Sequence, residues 1–311
     1  MFEEIKYQID DLPAFIGYLR SLDAPTESER AGSNCIFVGA GDSFAAAKAA
    51  EHLSRFRARA LNPYDLLLNP RIAEDKHVYV ISVSGRTRTN IEAAKAARRF
   101  ANRTTAITSN ARSVLAETCD DLIKLSFRKT DELTPGTVTF TAALLACYSR
   151  VTELTTIRDL RPIFDDCITW SNAIELPADG TVFMVGTGLG YCMAIYGAAK
   201  IYEVLGRKSQ YQGTEQFSHM ELFSLSEGDA VFLIPGSMED EKMTRLEGLL
   251  TGRGWNVTKI PLVESEEVPR SIEAAMHLQV LLWRAAVRLG LEECSFRKKE
   301  KHLGISNAMI Y

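Results

Sequence analysis

Apolar runs of membrane length are missing from this 311-residue chain: no stretch approaches the roughly 20 residues that a spanning helix needs. The opening MFEEIKYQID is acidic and has no apolar run, so it does not read as a secretory signal. An excess of basic residues is also missing. The formal net charge of −4 argues against a nucleic-acid partner, which calls for a basic face. The local cluster Arg55, Arg57 and Arg59 is expected to be solvated helix surface. The 6 cysteines, at 35, 119, 147, 167, 192 and 294, form no CxxC pair, which disfavours a zinc site or a disulfide framework. Their apolar contexts predict small buried hydrophobes, and a reducing cytoplasm is the expected compartment. What remains is ordinary for a soluble protein, 46% hydrophobic and 24% charged, with length enough for two domains and a large core.

Short apolar runs alternate with amphipathic stretches. Cys35–Val38, Val78–Val83, Thr104–Thr108 and Leu122–Leu125 read as strands, with helices at FAAAKAAEHL and NIEAAKAARRF. Such alternation implies a parallel sheet covered on both faces. The second half repeats the pattern: strands at Val182–Val185 and Val231–Ile234, helices at CMAIYGAAKIYEVLG and DEKMTRLEGLL. VGAG and VGTG lie 147 residues apart, and VYVISVS and VFLIPGS lie 153 apart, which suggests an internal duplication. The expected halves are 1–155 and 156–311, with the boundary near 152–178, where Arg158, Arg161 and Pro162 interrupt the pattern. A long helix from Ser271 to Leu289 and a basic tail close the chain.

Three motifs carry possible chemistry. Gly39-Ala40-Gly41-Asp42-Ser43 follows a strand and opens a helix, a place where backbone approaches a ligand and an anion is favoured. A dinucleotide fingerprint needs a further glycine where Phe44 stands, and a tight strand–helix turn accounts for this motif by itself. Ser82-Val83-Ser84-Gly85-Arg86-Thr87 also opens a helix. One helix cap needs one hydroxyl; three around a glycine suit a phosphate. The duplicated copy has Pro235-Gly236-Ser237-Met238, so only the first half is equipped in this way. Glu203, in an apolar helix, and His219, in TEQFSHMELF, can supply a carboxylate base and an imidazole acid; separately they read as a helix-surface charge and a helix cap.

Together these residues resemble the SIS (sugar isomerase) family, notably the isomerase part of glucosamine-6-phosphate synthase and the SIS-type glucosamine-6-phosphate deaminases, over nearly the whole chain. MFEEIKYQ is similar to the lead-in M-x-x-E-I-x-x-Q, GAGDS to G-x-G-T-S, and SVSGRT to the S-x-S-G-x-T phosphate loop. DELTPGTVTFT resembles E-x-x-V-A-S-T-K-x-F-T, KIYE resembles K-L-K-E, and EQFSH resembles E-L-K-H. Glu203 and His219 keep the family's separation of sixteen residues. The tail CSFRKKEK resembles D-x-P-R-N-L-A-K, whose lysine falls on Lys301. Departures are Asp42 for a threonine, Val83 for a sugar-contacting glutamine, Gly136 for a serine, and Met220-Glu221 for Gly-Pro.

The resemblance implies two tandem SIS-type half-domains, each a doubly wound parallel sheet, with a sugar-phosphate site between them at the carboxyl ends of the strands. It implies that Ser43, Ser82, Ser84 and Thr87 hold phosphate, while Gly41, Val83 and Thr137 contact sugar. His219 would assist ring opening, Glu203 would move a proton between C1 and C2, and Lys301 would meet the open-chain carbonyl or imine. No metal or redox cofactor is called for. The expected protein is a cytoplasmic homodimer acting on a hexose or hexosamine 6-phosphate by isomerisation or deamination. The alternatives are a phosphoglucose/phosphomannose-type isomerase and a sugar-phosphate sensor without turnover.

Overall fold

The structure, a computed structural model of the chain, describes all residues except 23–33, 132, 133, 156, 158, 178 and 293. Arg158 of the expected boundary, and Glu132 and Leu133 of the DELTPGTVTFT segment, lie outside the described residues. The chain forms two compact units. One holds Tyr7–Lys129, Gly136–Arg158 and Leu303–Tyr311; the other holds Met1–Lys6, Thr130–Pro135 and Asp159–His302.

The first unit contains a parallel five-stranded sheet. Its strands are β1 (Cys35–Val38), β2 (Arg59–Leu61), β3 (His77–Ile81), β4 (Arg103–Thr108) and β5 (Asp121–Lys124), in the order β2-β1-β3-β4-β5. Strands β1 and β3 lie inside the sheet, and CIFV is buried throughout, as a sheet covered on both faces requires. The helices are α1 (Phe2–Ser21), which belongs to this unit from Tyr7 on, α2 (Asp42–Leu53), α3 (Pro63–Leu68), α4 (Arg88–Ala97), α5 (Val114–Thr118) and α6 (Val138–Tyr148). Buried alanines at 45, 46, 47, 49 and 50 combine high helix propensity with small side chains, and α2 packs closely along the apolar α6.

The other unit contains a parallel four-stranded sheet: β6 (Val182–Gly186), β7 (Ser209–Gly213), β8 (Ala230–Ile234) and β9 (Val257–Lys259), in the order β7-β6-β8-β9. The first four strands of the five-stranded sheet follow the same order, edge, first, third, fourth. Its helices are α7 (Arg161–Ala173), α8 (Leu189–Lys200), α9 (Thr214–His219), α10 (Glu241–Thr251), α11 (Glu267–Arg288) and α12 (Ser295–Lys298), with the first residues of α13 (Glu300–Ile310), which from Leu303 on belongs to the first unit. The long α11 packs against α7 and α8, and Phe2 stacks on Trp283 at 4.1 Å.

Several sequence expectations change. The arginine cluster is exposed but not helical: α2 ends at Leu53, Arg55 and Phe56 take positive φ in the turn that follows, and Arg59 opens β2. Strand β3 stops at Ile81, which puts Val83 in the turn. Arg161 and Pro162 begin α7 instead of interrupting structure, because proline is tolerated in a helix's first turn. Much of the basic tail is helical, in α12 and α13. The cysteines are buried except Cys294, which is partly exposed. Among the described residues, no helix is long and apolar enough to cross a membrane.

Candidate functional site

Beyond β3 the chain turns through Ser82–Thr87 into α4, and several bonds fix that turn. The Ser82 amide donates to the Ile107 carbonyl at 3.0 Å, and the Gly85 amide to the Ser82 carbonyl at 2.9 Å. The Val83 carbonyl accepts from the Ser109 amide at 3.0 Å, the Ser109 hydroxyl at 2.8 Å and the Thr108 hydroxyl at 3.1 Å. Asn90, in the first turn of α4, donates its side-chain amide to Ile81 O at 2.7 Å. Gly85 has φ +65°, and a methyl there would collide with the Ser113 side chain. Only glycine meets both conditions.

The three hydroxyls then divide. Ser84 Oγ accepts from the Arg86 amide at 3.3 Å, forming a local turn. Ser82 Oγ lies 3.1 Å from Thr87 Oγ1. Thr87 is the N-cap residue of α4, yet its side chain makes no cap bond. Its hydroxyl faces Ser82 and makes no bond to the first-turn amides of α4. Uncapped amides and hydroxyls at a helix N-terminus form an anion-binding arrangement.

Two further segments bring predicted residues to the same unit. Strand β1 pairs with β3, Val38 opposite Val80, so the turn after β1 leaves the neighbouring strand on the same edge of the sheet. Gly41, with φ +58°, caps α2, and Ser43 is buried in that helix's first turn. The segment Gly136-Thr137 opens α6, with Thr137 buried. A methyl on Gly136 would collide with Asp42 Oδ2, so this segment abuts the turn after β1.

In the four-stranded unit the corresponding turns are closed by the chain itself. Thr187, in the Gly186-Thr187-Gly188 turn, donates its hydroxyl to Asp240 and accepts from the Gly236 amide at 2.9 Å. Asp240 also caps α10, accepting from the Met243 amide at 3.0 Å. The N-terminus of α10 therefore carries its own carboxylate, whereas the cap residue of α4 is Thr87, whose side chain makes no cap bond.

Glu203 lies on a single π-helical turn, Ile201–Leu205, that continues α8. Such turns are rare and frequently mark functional sites. Its carboxylate pairs with Lys200 one turn earlier; the lysine side chain is 1% exposed and the glutamate 40%. Gly206 ends this turn with φ +65°, and Lys299 donates to its carbonyl at 3.3 Å. Beside it, burial pushes the Cys294 thiol above its usual range. His219 ends α9, with its side chain 70% exposed and Nε2 3.2 Å from Glu215 Oε1. Lys301 is exposed on α13.

Sequence reasoning missed Lys200, Asn90, Asp240 and Lys299 as positioning groups. A lysine among apolar residues in KIYE and an aspartate three residues before Met243 were the available signals.

No family model matches the chain, and no curated protein does. Solved structures do. Glucosamine-6-phosphate deaminase from Thermotoga maritima matches with a TM-score of 0.78 at 20% identity, over 93% of this chain and 95% of that one. Tagatose-6-phosphate ketose/aldose isomerase from Escherichia coli matches with a TM-score of 0.75 at 18% identity, over 93% and 92%. The C-terminal domain of glucosamine-fructose-6-phosphate aminotransferase from Francisella tularensis matches with a TM-score of 0.71 at 15% identity, over 94% and 97%.

Proposed function

On the SIS fold that the chain shares with those structures, we propose that it is a phosphosugar enzyme: an aldose–ketose isomerase or deaminase of a hexose or hexosamine 6-phosphate. The observation that carries this reading is the Ser82–Thr87 turn, whose hydroxyls stand at a helix start that Thr87 leaves uncapped. Ser43, Ser82, Ser84 and Thr87 hold the phosphate, and Gly41, Val83 and Thr137 face the sugar. Glu203 takes the proton from C2 of the opened sugar and returns it to C1, His219 protonates the ring oxygen, and Lys301 meets the open-chain carbonyl or imine. With an amino sugar, the resulting C2 imine takes up water and releases ammonia. The chain is built from two duplicated half-domains, 1–155 and 156–311, each centred on one of the two sheets, which the shared strand order supports. The protein acts as a cytoplasmic homodimer.

Glucosamine 6-phosphate, glucose 6-phosphate and fructose 6-phosphate, assayed for the interconverted sugar and for ammonia, separate deamination from isomerisation. Ser84→Ala tests the phosphate loop. A hydrogen bond to a charged group contributes about 1.5–3 kcal/mol, so a sugar 6-phosphate should bind about tenfold or more weakly while the unphosphorylated sugar changes little. Equal weakening of both would remove the phosphate from this loop. Ser237→Ala, in the self-capped copy, should leave binding unchanged.

A second reading, binding without turnover, is favoured by the engagement of Glu203 with buried Lys200 and the high exposure of His219. It predicts saturable phosphosugar binding with neither product.

A further inference from the structure

In the first unit, helix α1 and the chain that leaves edge strand β5 flank a cavity of 510 Å³. Asp11, Phe15 and Tyr18 line it from α1, and their spacing of four and three residues puts them on one face of the helix. Phe15 is buried, and its ring lies 5.8 Å from that of Tyr18 at 25° from parallel. Phe127 lines the cavity from the segment after β5.

That segment is tied down at both ends. The Leu125 amide donates to the Thr108 carbonyl on β4 at 2.9 Å. Arg128 donates its amide to Asp11 Oδ2 and its Nε to Asp11 Oδ1, both at 2.7 Å, and pairs with Asp10 at 2.9 Å. Its guanidinium lies 4.6 Å from the centre of the Tyr7 ring. Both Asp11 oxygens are therefore engaged, and the charges of Asp11 and Arg128 offset one another. The other polar groups of the lining are the Lys124 ammonium and the hydroxyls of Tyr18 and Ser126. None of these three has a hydrogen-bond or ion-pair partner among the described residues.

An aromatic wall beside unused donors and one unpaired cation complements a flat apolar body that carries a single negative charge. None of the lining residues belongs to the Ser82–Thr87 turn or to α4. We propose that this cavity is a small-molecule site, separate from that turn, which takes an aromatic carboxylate: the ring lies against Phe15 and Tyr18, and the carboxylate accepts from Lys124.

The test is a ligand-observed NMR titration of the full chain with three probes of one shape and different charge: indole-3-acetate, indole-3-ethanol and tryptamine. Indole-3-acetate should bind with a Kd of about 1 mM, the order expected for a molecule of its size. Indole-3-ethanol should bind about tenfold or more weakly, and tryptamine more weakly still, because a hydrogen bond between charged groups is lost. Lys124 is exposed, so Lys124→Met should fold; it should weaken indole-3-acetate by about tenfold and leave indole-3-ethanol within about twofold. Ala14, also exposed, lines the cavity from α1, and Ala14→Trp should exclude all three probes by filling it. Absence of saturable indole-3-acetate binding, equal affinity for the acid and the alcohol, or wild-type affinity in both variants would each overturn the inference. Loss of indole-3-acetate binding in Ser84→Ala with none in Lys124→Met would place the acid in the Ser82–Thr87 turn instead, and would overturn it too.

Discussion

Gly85 shows how much one residue carries in the turn between β3 and α4. It adopts positive φ, and its missing side chain leaves room for the Ser113 side chain. Gly85→Ala would meet both a left-handed backbone penalty of about 1 kcal/mol and a collision with Ser113, which itself caps α5 by accepting from Ala116 N at 3.2 Å. The expected outcome is a lower thermal midpoint and loss of phosphosugar binding, read by a thermal shift with and without ligand. Wild-type affinity would mean that the turn does not hold the ligand. Lys200 makes a second case. Its ammonium is buried and pairs with Glu203, so Lys200→Met removes the cation that steadies that carboxylate. If Glu203 is the base, kcat should fall at least about tenfold with KM within a few-fold, and Lys200→Arg should restore part of it. A structural role alone would lower the midpoint and leave kcat of the folded protein unchanged.

The elements divide into those the sequence makes plain and those it does not. Central strands such as CIFV and VFMV are apolar and buried along their length, so composition finds them. Strands β2, β7 and β9 escaped because they are edge strands: RAL and VTK are three residues long, and SQYQG is largely polar. No local pattern announced the π turn at Glu203, because it is a one-residue change in hydrogen-bond register within a continuous helical sequence. The lead-in motif was visible, but its work was not. Buried Glu4 accepts from the Thr130 amide and hydroxyl, both at 3.0 Å, and from the Thr134 hydroxyl; Gln8 accepts from Thr141 at 2.7 Å. All four bonds span more than a hundred residues of sequence. Asp240 gives an element-scale prediction. Asp240→Ala removes the cap of α10 and should cost about 1 kcal/mol, seen as a lower denaturant midpoint, with phosphosugar affinity unchanged. A fall in affinity would place ligand at the second copy of the turn.

For the molecule as a whole, acid should act through His277. This residue is buried in α11, bonded to the Pro261 backbone, with Trp170 edge-on at 5.0 Å. Burial lowers its pKa from 6.5 to about 4. Between those values the unfolded chain holds the extra proton, so stability rises with pH through that window and is full above it. Acidifying from pH 7 to 4.5 should cost up to about 3 kcal/mol through this group. Buried Glu273, on the same helix, is shifted upward and acts in the opposite direction. The difference between wild type and His277→Gln across pH 4.5–7 therefore isolates the imidazole, and equal slopes would contradict the assignment. Assembly is read by light scattering: the proposed homodimer has twice 34.6 kDa, and an active monomer would refute any site shared between subunits.

The central claim is that this chain binds a hexose 6-phosphate and moves its C2 hydrogen with Glu203. The most direct measurement is proton NMR of glucosamine 6-phosphate and fructose 6-phosphate incubated with the protein in D2O. Wild type should introduce solvent deuterium at the carbons that exchange the proton, whether or not ammonia is released. Glu203→Gln should slow this by about 10²–10⁴-fold, the usual effect of losing a positioned general base, with phosphosugar affinity within a few-fold of wild type. Wild-type exchange in Glu203→Gln would move the base elsewhere, and binding without exchange in the wild type would make the chain a sensor.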